Sequence, residues 1–336
     1  MYRPQALLVM RPDTFRMQFG DREMQRLRSL ADLGDPVWSD DIDAPCTRTR
    51  LAETEVLFTS WGCPSLTAER LDAAPKLQAV FHCAGSVRGL VSDEFWRREI
   101  VVTSGAQANA TPVAEYTLAA IIFAGKKAPL LAAQTRMARN DWYSVAARED
   151  LSNYGRTIGI LGFSRIGRLV AERLRMLDTA AVLVTDPYAD PAAVAAVGGR
   201  LVSLDELLST CDILSLHLPE LPQTRHTIGS RELALMPDGA TVINTARGGV
   251  IDTAALEREC VSGRLNAILD VTDPEPLPAS SLLYRLDNVM ITPHIAGSLG
   301  SETRRMSALA LDELERFING LPLAEAVTSQ MLEVSA

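Results

Sequence analysis

TIGILGFSRIG, residues 157–167, sets the organisation of the chain. Thr157 to Leu161 is an apolar run of the kind buried in a parallel sheet, Gly162 turns the chain, and Ile166, Leu169, Val170, Leu174 and Leu177 recur at helical spacing. A strand, a glycine turn and a helix in that order leave the first N–H groups of the helix unpaired at the positive end of its dipole. Such a turn suits a pyrophosphate. Against the spacing GxGxxG, Gly162 and Gly167 hold the outer positions and Ser164 stands in the middle one. A side chain there either crowds a phosphate or hydrogen bonds to it, and the hydrogen bond is the expectation.

Asp186 closes the next apolar run, Ala181 to Thr185. At that point a carboxylate accepts hydrogen bonds from both hydroxyls of an adenosine ribose and repels a 2′-phosphate. NAD is the expected cofactor and NADP the disfavoured one; the plainer alternative for Asp186-Pro187 is a surface turn.

The chain has 336 residues, 47% of them apolar, enough for two well-packed domains. A net charge of −9 with no block of Lys and Arg argues against nucleic acid or an anionic membrane as partner and favours a small molecule. The apolar run before Arg11 is too short for a signal peptide and no segment reaches spanning length, so a cytoplasmic location is expected. Cys46, Cys63, Cys83, Cys211 and Cys260 form no CxxC pair and read as reduced thiols; no metal is expected.

Before the glycine turn, strands are expected at Ala6 to Met10, Val56 to Thr59, Gln78 to Phe81 and Ile100 to Thr103, an α/β unit of its own. Gly85, Ser86 and Val87 follow one of these strands, where backbone N–H groups can hold a carboxylate or simply connect strand to helix. Trp61-Gly62 follows another and either lines the same cleft or caps the core. Thr111-Pro112 reads as a helix start, with a hydroxyl cap and proline in the first turn. A second helix is expected over Lys126 to Ala138, then a polar connection containing Trp142. After it come strands at Leu201, Ile213 to Leu218, Thr241 to Asn244, Ala267 to Val271 and Val289 to Thr292. With the strands at 157–161 and 181–185 these make a doubly wound parallel sheet. The last helix, Glu302 to Asn319, is expected to return to the first domain. The fold class is thus α/β with two Rossmann-like domains: a cofactor domain over 106–301 and a discontinuous, flavodoxin-like substrate domain over 1–105 and 302–336.

Arg247 in NTARGG, Glu275 in DVTDPEP and His294 in TPHIAG follow three successive strands of the second sheet. An arginine can clamp a carboxylate through parallel hydrogen bonds. A histidine can exchange a proton with an alcohol oxygen near neutral pH, and a neighbouring carboxylate keeps it protonated and oriented. Singly, these residues read equally as a surface ion pair, a solvated acid and a core histidine; together on one rim they describe a hydride-transfer site.

The segments GILGFSRIG, VTDPYAD, SLHLPELPQTRHTI, MPDGATVINTARGGVIDTAAL, LDVTDPEPLP and NVMITPHIAG resemble the D-isomer-specific 2-hydroxyacid dehydrogenases, with PVAEYTLA and CAGSV extending the likeness into the substrate domain. The resemblance implies NAD-dependent interconversion of a 2-oxo acid and a D-2-hydroxy acid. Arg247 would bind the substrate carboxylate and orient the carbonyl, His294 would be the acid/base with Glu275 as its partner, and the backbone at Gly85 to Val87 would contact the carboxylate. It places Ser164, Arg165 and Ile166 along the pyrophosphate, Asp186 on the ribose, His217, Pro219 and Thr224 near the adenosine half, and Thr245 and Asp270 near the nicotinamide amide. His217 is expected to shape the pocket, and the protein to be a homodimer through the cofactor domain. Glu275 stands where formate dehydrogenases carry glutamine, which disfavours that reaction. A different class, an NAD(H)-sensing binding or co-repressor protein on the same fold, is the alternative. Two positions depart from the family pattern: Ser164 at the middle glycine, and AGSVR where a glycine pair and an aspartate are more usual.

Overall fold

The computed structural model describes residues 2–139, 141–147 and 151–334. Residue 140 and residues 148–150 of the predicted polar connection, and the extreme ends of the predicted substrate domain, lie outside the described residues. The chain divides into two compact units, Met1–Asn109 with Ser298–Ala336, and Ala110–Gly297.

The second unit is built on the strand that the glycine turn ends. β6 (Thr157–Leu161), β7 (Ala181–Thr185), β8 (Arg200–Leu201), β9 (Ile213–Leu216), β10 (Thr241–Asn244), β11 (Asn266–Leu269) and β12 (Val289–Ile291) form one sheet in the order β12-β11-β10-β9-β6-β7-β8. Every pairing is parallel. Apolar side chains cover both faces, because successive residues of a strand point to opposite sides. Ile158, Ile160, Val182, Val184, Ile213, Ile243 and Ile268 pack into one core. Leu161, Leu183, Leu214, Leu216, Val242 and Leu269 pack into the other. From β6 the chain moves to β7 and β8 on one side and then to β9 on the other, so the carboxyl ends of β6 and β9 flank the point where the order reverses, the usual ligand site of such sheets.

The glycines at this point answer to close approach. Gly162 has φ +96°, and a Cβ on it would lie 2.8 Å from the backbone carbonyl of His217. A Cβ on Gly167 would lie 2.0 Å from the Gly162 carbonyl oxygen, so the helix Arg165–Leu174 seats directly against the turn.

In the first unit, β1 (Gln5–Val9), β2 (Asp32–Ser39), β3 (Val56–Thr59), β4 (Ala79–His82), β5 (Val101–Ser104) and β13 (Ala326–Val327) form a sheet in the order β13-β5-β4-β3-β1-β2. Two of these strands are missing from the sequence reading. β2 contains Gly34-Asp35-Pro36, which reads as a turn and is tolerated because β2 is an edge strand. β13 has only two residues and pairs antiparallel with β5, too short to show a period.

A correction concerns the helix expected to start at Thr111-Pro112. It runs Ala106–Gly125 with Pro112 inside it. The start is set by residues after β5: Ser104 Oγ accepts the Ala106 N–H at 3.1 Å, and Gly105 O accepts the Asn109 N–H at 3.0 Å. These contacts stabilise the opening turn, so the helix tolerates the N–H that Pro112 cannot supply. The last helix begins as a 3-10 turn, Gly300–Thr303, continues as Arg304–Ile318 and stops before Gly320 at φ +63°. No single helix among the described residues is long and apolar enough to cross a membrane.

Because the Gly162 oxygen is backbone and cannot swing away, Gly167→Ala should destabilise the protein by about 1–3 kcal/mol. Denaturant unfolding measures this; a midpoint equal to that of the unsubstituted protein would remove close approach as the reason for glycine.

Candidate active site

Arg247, Glu275 and His294 follow β10, β11 and β12, which are neighbours in the sheet. Asn244 shapes the first of these loops: its Nδ2 donates to Arg247 O at 2.9 Å and its Oδ1 accepts the Ala246 N–H at 3.0 Å. This side-chain turn aims Arg247 out of the sheet. A Cβ on Gly248 would lie 2.0 Å from Thr272 O, so the Arg247 loop lies against the loop that leads to Glu275. The guanidinium of Arg247 donates from Nη1 to Ala246 O at 2.7 Å and forms no ion pair among the described residues. It therefore retains donors for an anion.

Glu275 sits in a loop held from both sides. Thr253 Oγ1 donates to Asp273 O at 2.7 Å, Thr272 Oγ1 donates to Pro274 O at 2.9 Å, and Arg225 Nη2 donates to Asp273 Oδ2 at 2.6 Å. The Glu275 Oε1 atom is 2.7 Å from His294 Nδ1, and both side chains are about half exposed. With the carboxylate accepting from Nδ1–H, Nε2 is the ring atom left to exchange a proton with a ligand.

His294 stands at φ +55°, a left-handed conformation uncommon outside glycine. Asp270, only 2% exposed, holds it there. The Asp270 carboxylate accepts from Thr292 Oγ1 at 2.6 Å and from the N–H groups of Ile295 and Ala296 at 2.8 Å, while Asp270 O accepts the His294 N–H at 3.0 Å. Since the Thr292 proton goes to Asp270, the 2.7 Å contact between Thr292 Oγ1 and Tyr116 is donated by the tyrosine. Burial keeps that phenol above its ordinary pKa, and so protonated. Thr117 likewise donates to Val113 O, so Thr245 donates to Thr117 Oγ1 at 2.8 Å and keeps its lone pairs as acceptors.

The residues expected to hold the cofactor lie in the same unit. Ser164 is the N-cap of the helix Arg165–Leu174, yet its hydroxyl does not cap it. Ser164 and Arg165 are exposed and Ile166 partly so. Asp186 receives the Phe163 N–H on one oxygen at 2.7 Å and the Tyr188 N–H on the other at 2.8 Å, which pins it beside the glycine turn with lone pairs to spare. The His217 Nε2 atom lies 2.9 Å from Ser215 Oγ, its Nδ1 is buried without a partner among the described residues, and burial pushes its pKa down to about 3. Thr224 spends its hydroxyl closing the turn at Pro219 to Leu221. Gly85, Ser86 and Val87 belong to the first unit, after β4.

Sequence reasoning missed Asn244, Tyr116 and the anchoring by Asp270. An Asn at a strand end two residues before an Ala-Arg turn is a recognisable side-chain turn signal. Nothing local marks Tyr116.

Residues 119–296 match the family described as D-isomer specific 2-hydroxyacid dehydrogenase, NAD binding domain. A glyoxylate/hydroxypyruvate reductase B of Yersinia enterocolitica is 34% identical over 84% of this chain and 86% of its own length. The chain belongs to the D-isomer specific 2-hydroxyacid dehydrogenase family. The chain is also similar to a D-3-phosphoglycerate dehydrogenase of Mycobacterium tuberculosis, 32% identical over 89% of this chain and 56% of that protein. The chain thus spans about half the length of the phosphoglycerate dehydrogenases it matches. The fold is shared with a D-mandelate dehydrogenase of Rhodotorula graminis at a TM-score of 0.82 and 22% identity, covering 98% of this chain and 99% of that one.

The neutral state of His217 couples stability to pH. Its folded pKa of about 3 lies below the ordinary 6.5, so the fold favours the uncharged ring. The contribution is complete above pH 6.5 and is lost as the pH falls toward 3. His217→Gln should therefore lose less thermal stability than the unsubstituted protein between pH 7 and pH 4, as read by calorimetry; equal losses would contradict a buried neutral histidine.

Proposed function

We propose that this protein is an NAD-dependent oxidoreductase that interconverts a 2-oxo acid and a D-2-hydroxy acid. The observation that carries the reading is the His294–Glu275 contact of 2.7 Å, with Nε2 available and, after β10, an arginine without an ion pair among the described residues. Relatives named as a reductase of glyoxylate and hydroxypyruvate and as a dehydrogenase of phosphoglycerate support the substrate class.

The residues present fit the cofactor. Gly162 and Gly167 permit close backbone approach at the start of a helix, and Asp186 carries free lone pairs beside that turn. Gly162, Ser164, Arg165 and Ile166 are assigned to the pyrophosphate and Asp186 to the ribose, where its charge disfavours a 2′-phosphate. His217, Pro219 and Thr224 are assigned to the adenosine half, His217 as an uncharged wall. Thr245 and Asp270 are assigned to the nicotinamide amide. When bound, NADH supplies a hydride to the carbonyl carbon.

In the reductive direction Arg247 binds the substrate carboxylate and fixes the carbonyl, which removes the orientational part of the barrier. His294 gives the Nε2 proton to the carbonyl oxygen as that oxygen gains charge, and Glu275 stabilises the protonated ring through Nδ1–H. Oxidation reverses these transfers. The backbone N–H groups of Gly85, Ser86 and Val87 are assigned to substrate binding.

Loss of NADH absorbance with glyoxylate, pyruvate, hydroxypyruvate, a branched-chain 2-oxo acid and phenylpyruvate tests the reading. Turnover of at least one of them is expected, with NADH preferred over NADPH; silence across the set with NADH still bound would refute it. Glu275→Gln removes the charged acceptor beside His294 Nδ1, so kcat for reduction should fall by roughly tenfold or more while NADH binding is kept. An unchanged kcat would remove Glu275 from the acid/base pair.

A further inference from the structure

Tyr116 sits midway along the helix Ala106–Gly125 and packs against the core that contains Ile160, Ile243 and Ile268. Its hydroxyl lies 2.7 Å from Thr292 Oγ1, 176 positions away in the chain. Thr117, the next residue of the helix, has its Oγ1 2.8 Å from Thr245 Oγ1. Thr245 and Thr292 are the first residues after β10 and β12, the strands on either side of β11, and Asp270 is the first residue after β11. The helix is thus fastened to the sheet on both sides of the buried carboxylate.

The direction of the bonds follows from the protons available. A threonine hydroxyl carries one proton and two lone pairs. Thr292 gives its proton to Asp270 Oδ1 at 2.6 Å, so the Tyr116 phenol donates to a Thr292 lone pair. Donation from that side holds Thr292 in one χ1 state and polarises its O–H toward the carboxylate. The same Asp270 oxygen accepts the Ile295 N–H, and the other oxygen accepts the Ala296 N–H, both at 2.8 Å. These two N–H groups belong to the residues directly after His294, whose backbone is held at φ +55°. Thr292 is therefore the side-chain donor that stops the carboxylate from turning about χ2 and keeps its oxygens on the turn. Tyr116 itself makes no hydrogen bond to His294 or Glu275 among the described residues.

We propose that Tyr116 is a positioning residue for the acid/base step: through Thr292 and Asp270 it holds the turn that keeps the His294 ring facing Glu275. The inference rests on the 2-oxo acid reading above.

The test uses the full chain and two readouts. Tyr116→Phe keeps the ring in the core and removes only the donor. It should shift the backbone amide resonances of Ile295 and Ala296, while the amides of Phe163 and Tyr188, which donate to Asp186 in the same manner, stay in place. With the best 2-oxo acid, kcat should fall roughly threefold to tenfold. KM should stay within about twofold, because Arg247 is held by Asn244 on a loop of its own. Thr292→Val, which removes both hydrogen bonds, should lower kcat further, and adding Tyr116→Phe to it should change nothing more; Thr292→Ser, which keeps the hydroxyl, should recover most of the rate. Unmoved Ile295 and Ala296 amides, an unchanged kcat, or an equal loss from Tyr116→Phe in the Thr292→Val background overturns the proposal. If Tyr116→Phe does not fold, Thr292→Val must shift the two amides and lower kcat with KM kept, or the proposal fails. Absence of turnover with every 2-oxo acid refutes the functional reading instead, and the amide shifts then decide by themselves whether Tyr116 holds the turn.

Discussion

The buried carboxylate of Asp270 is the contact on which the geometry of the candidate active site depends. A non-glycine residue in the left-handed region costs on the order of 1–3 kcal/mol, and His294 stands there at φ +55°. Hydrogen bonds to a charged group contribute about 1.5–3 kcal/mol each, and Asp270 accepts from Thr292, Ile295 and Ala296. The anchor outweighs the strain. Releasing the turn would leave a carboxylate buried without partners, a heavier penalty than the backbone conformation itself. His294 is thereby held facing Glu275 before any ligand arrives.

That anchor works because of where the parallel sheet ends. Seven strands lie in one direction, so the loops after β10, β11 and β12 emerge side by side and their side chains share one edge. Close approach then locks the loops to each other. Gly248 lies against Thr272, and Gly162 lies against both His217 and the start of its own helix. Backbone contacts of this kind fix positions more firmly than side-chain packing, since no rotamer change can relieve them.

Both units shape loops by satisfying carbonyl groups from behind. After β10, Asn244 takes the Arg247 carbonyl, while the guanidinium gives one donor to Ala246 O and keeps others. After β4, side chains from several elements take the carbonyls of Cys83 and Gly85. A buried carbonyl must find a donor, and a peptide plane fixed on one side is fixed on the other.

The strands of the second sheet were legible in the chain because apolar runs closed by glycine or by an Asp-Pro pair are local signals, as in 157–167 and 181–187. The types and places of Arg247, Glu275 and His294 were legible for the same reason, each standing just after such a run. Local reading went astray where another part of the molecule dominates: Pro112 is carried inside a helix that Ser104 and Gly105 begin, and Gly34-Asp35-Pro36 is carried in an edge strand that pairs with β1. By itself the sequence determined the alternation of strands and helices, the glycine turn and the residue types after each strand, since these follow from spacing along a few neighbouring residues. Only the tertiary structure decided that Tyr116 reaches Thr292 across 176 positions and that Gln18 reaches Cys83 across 65. Hydrogen bonds between distant segments impose no period on either one.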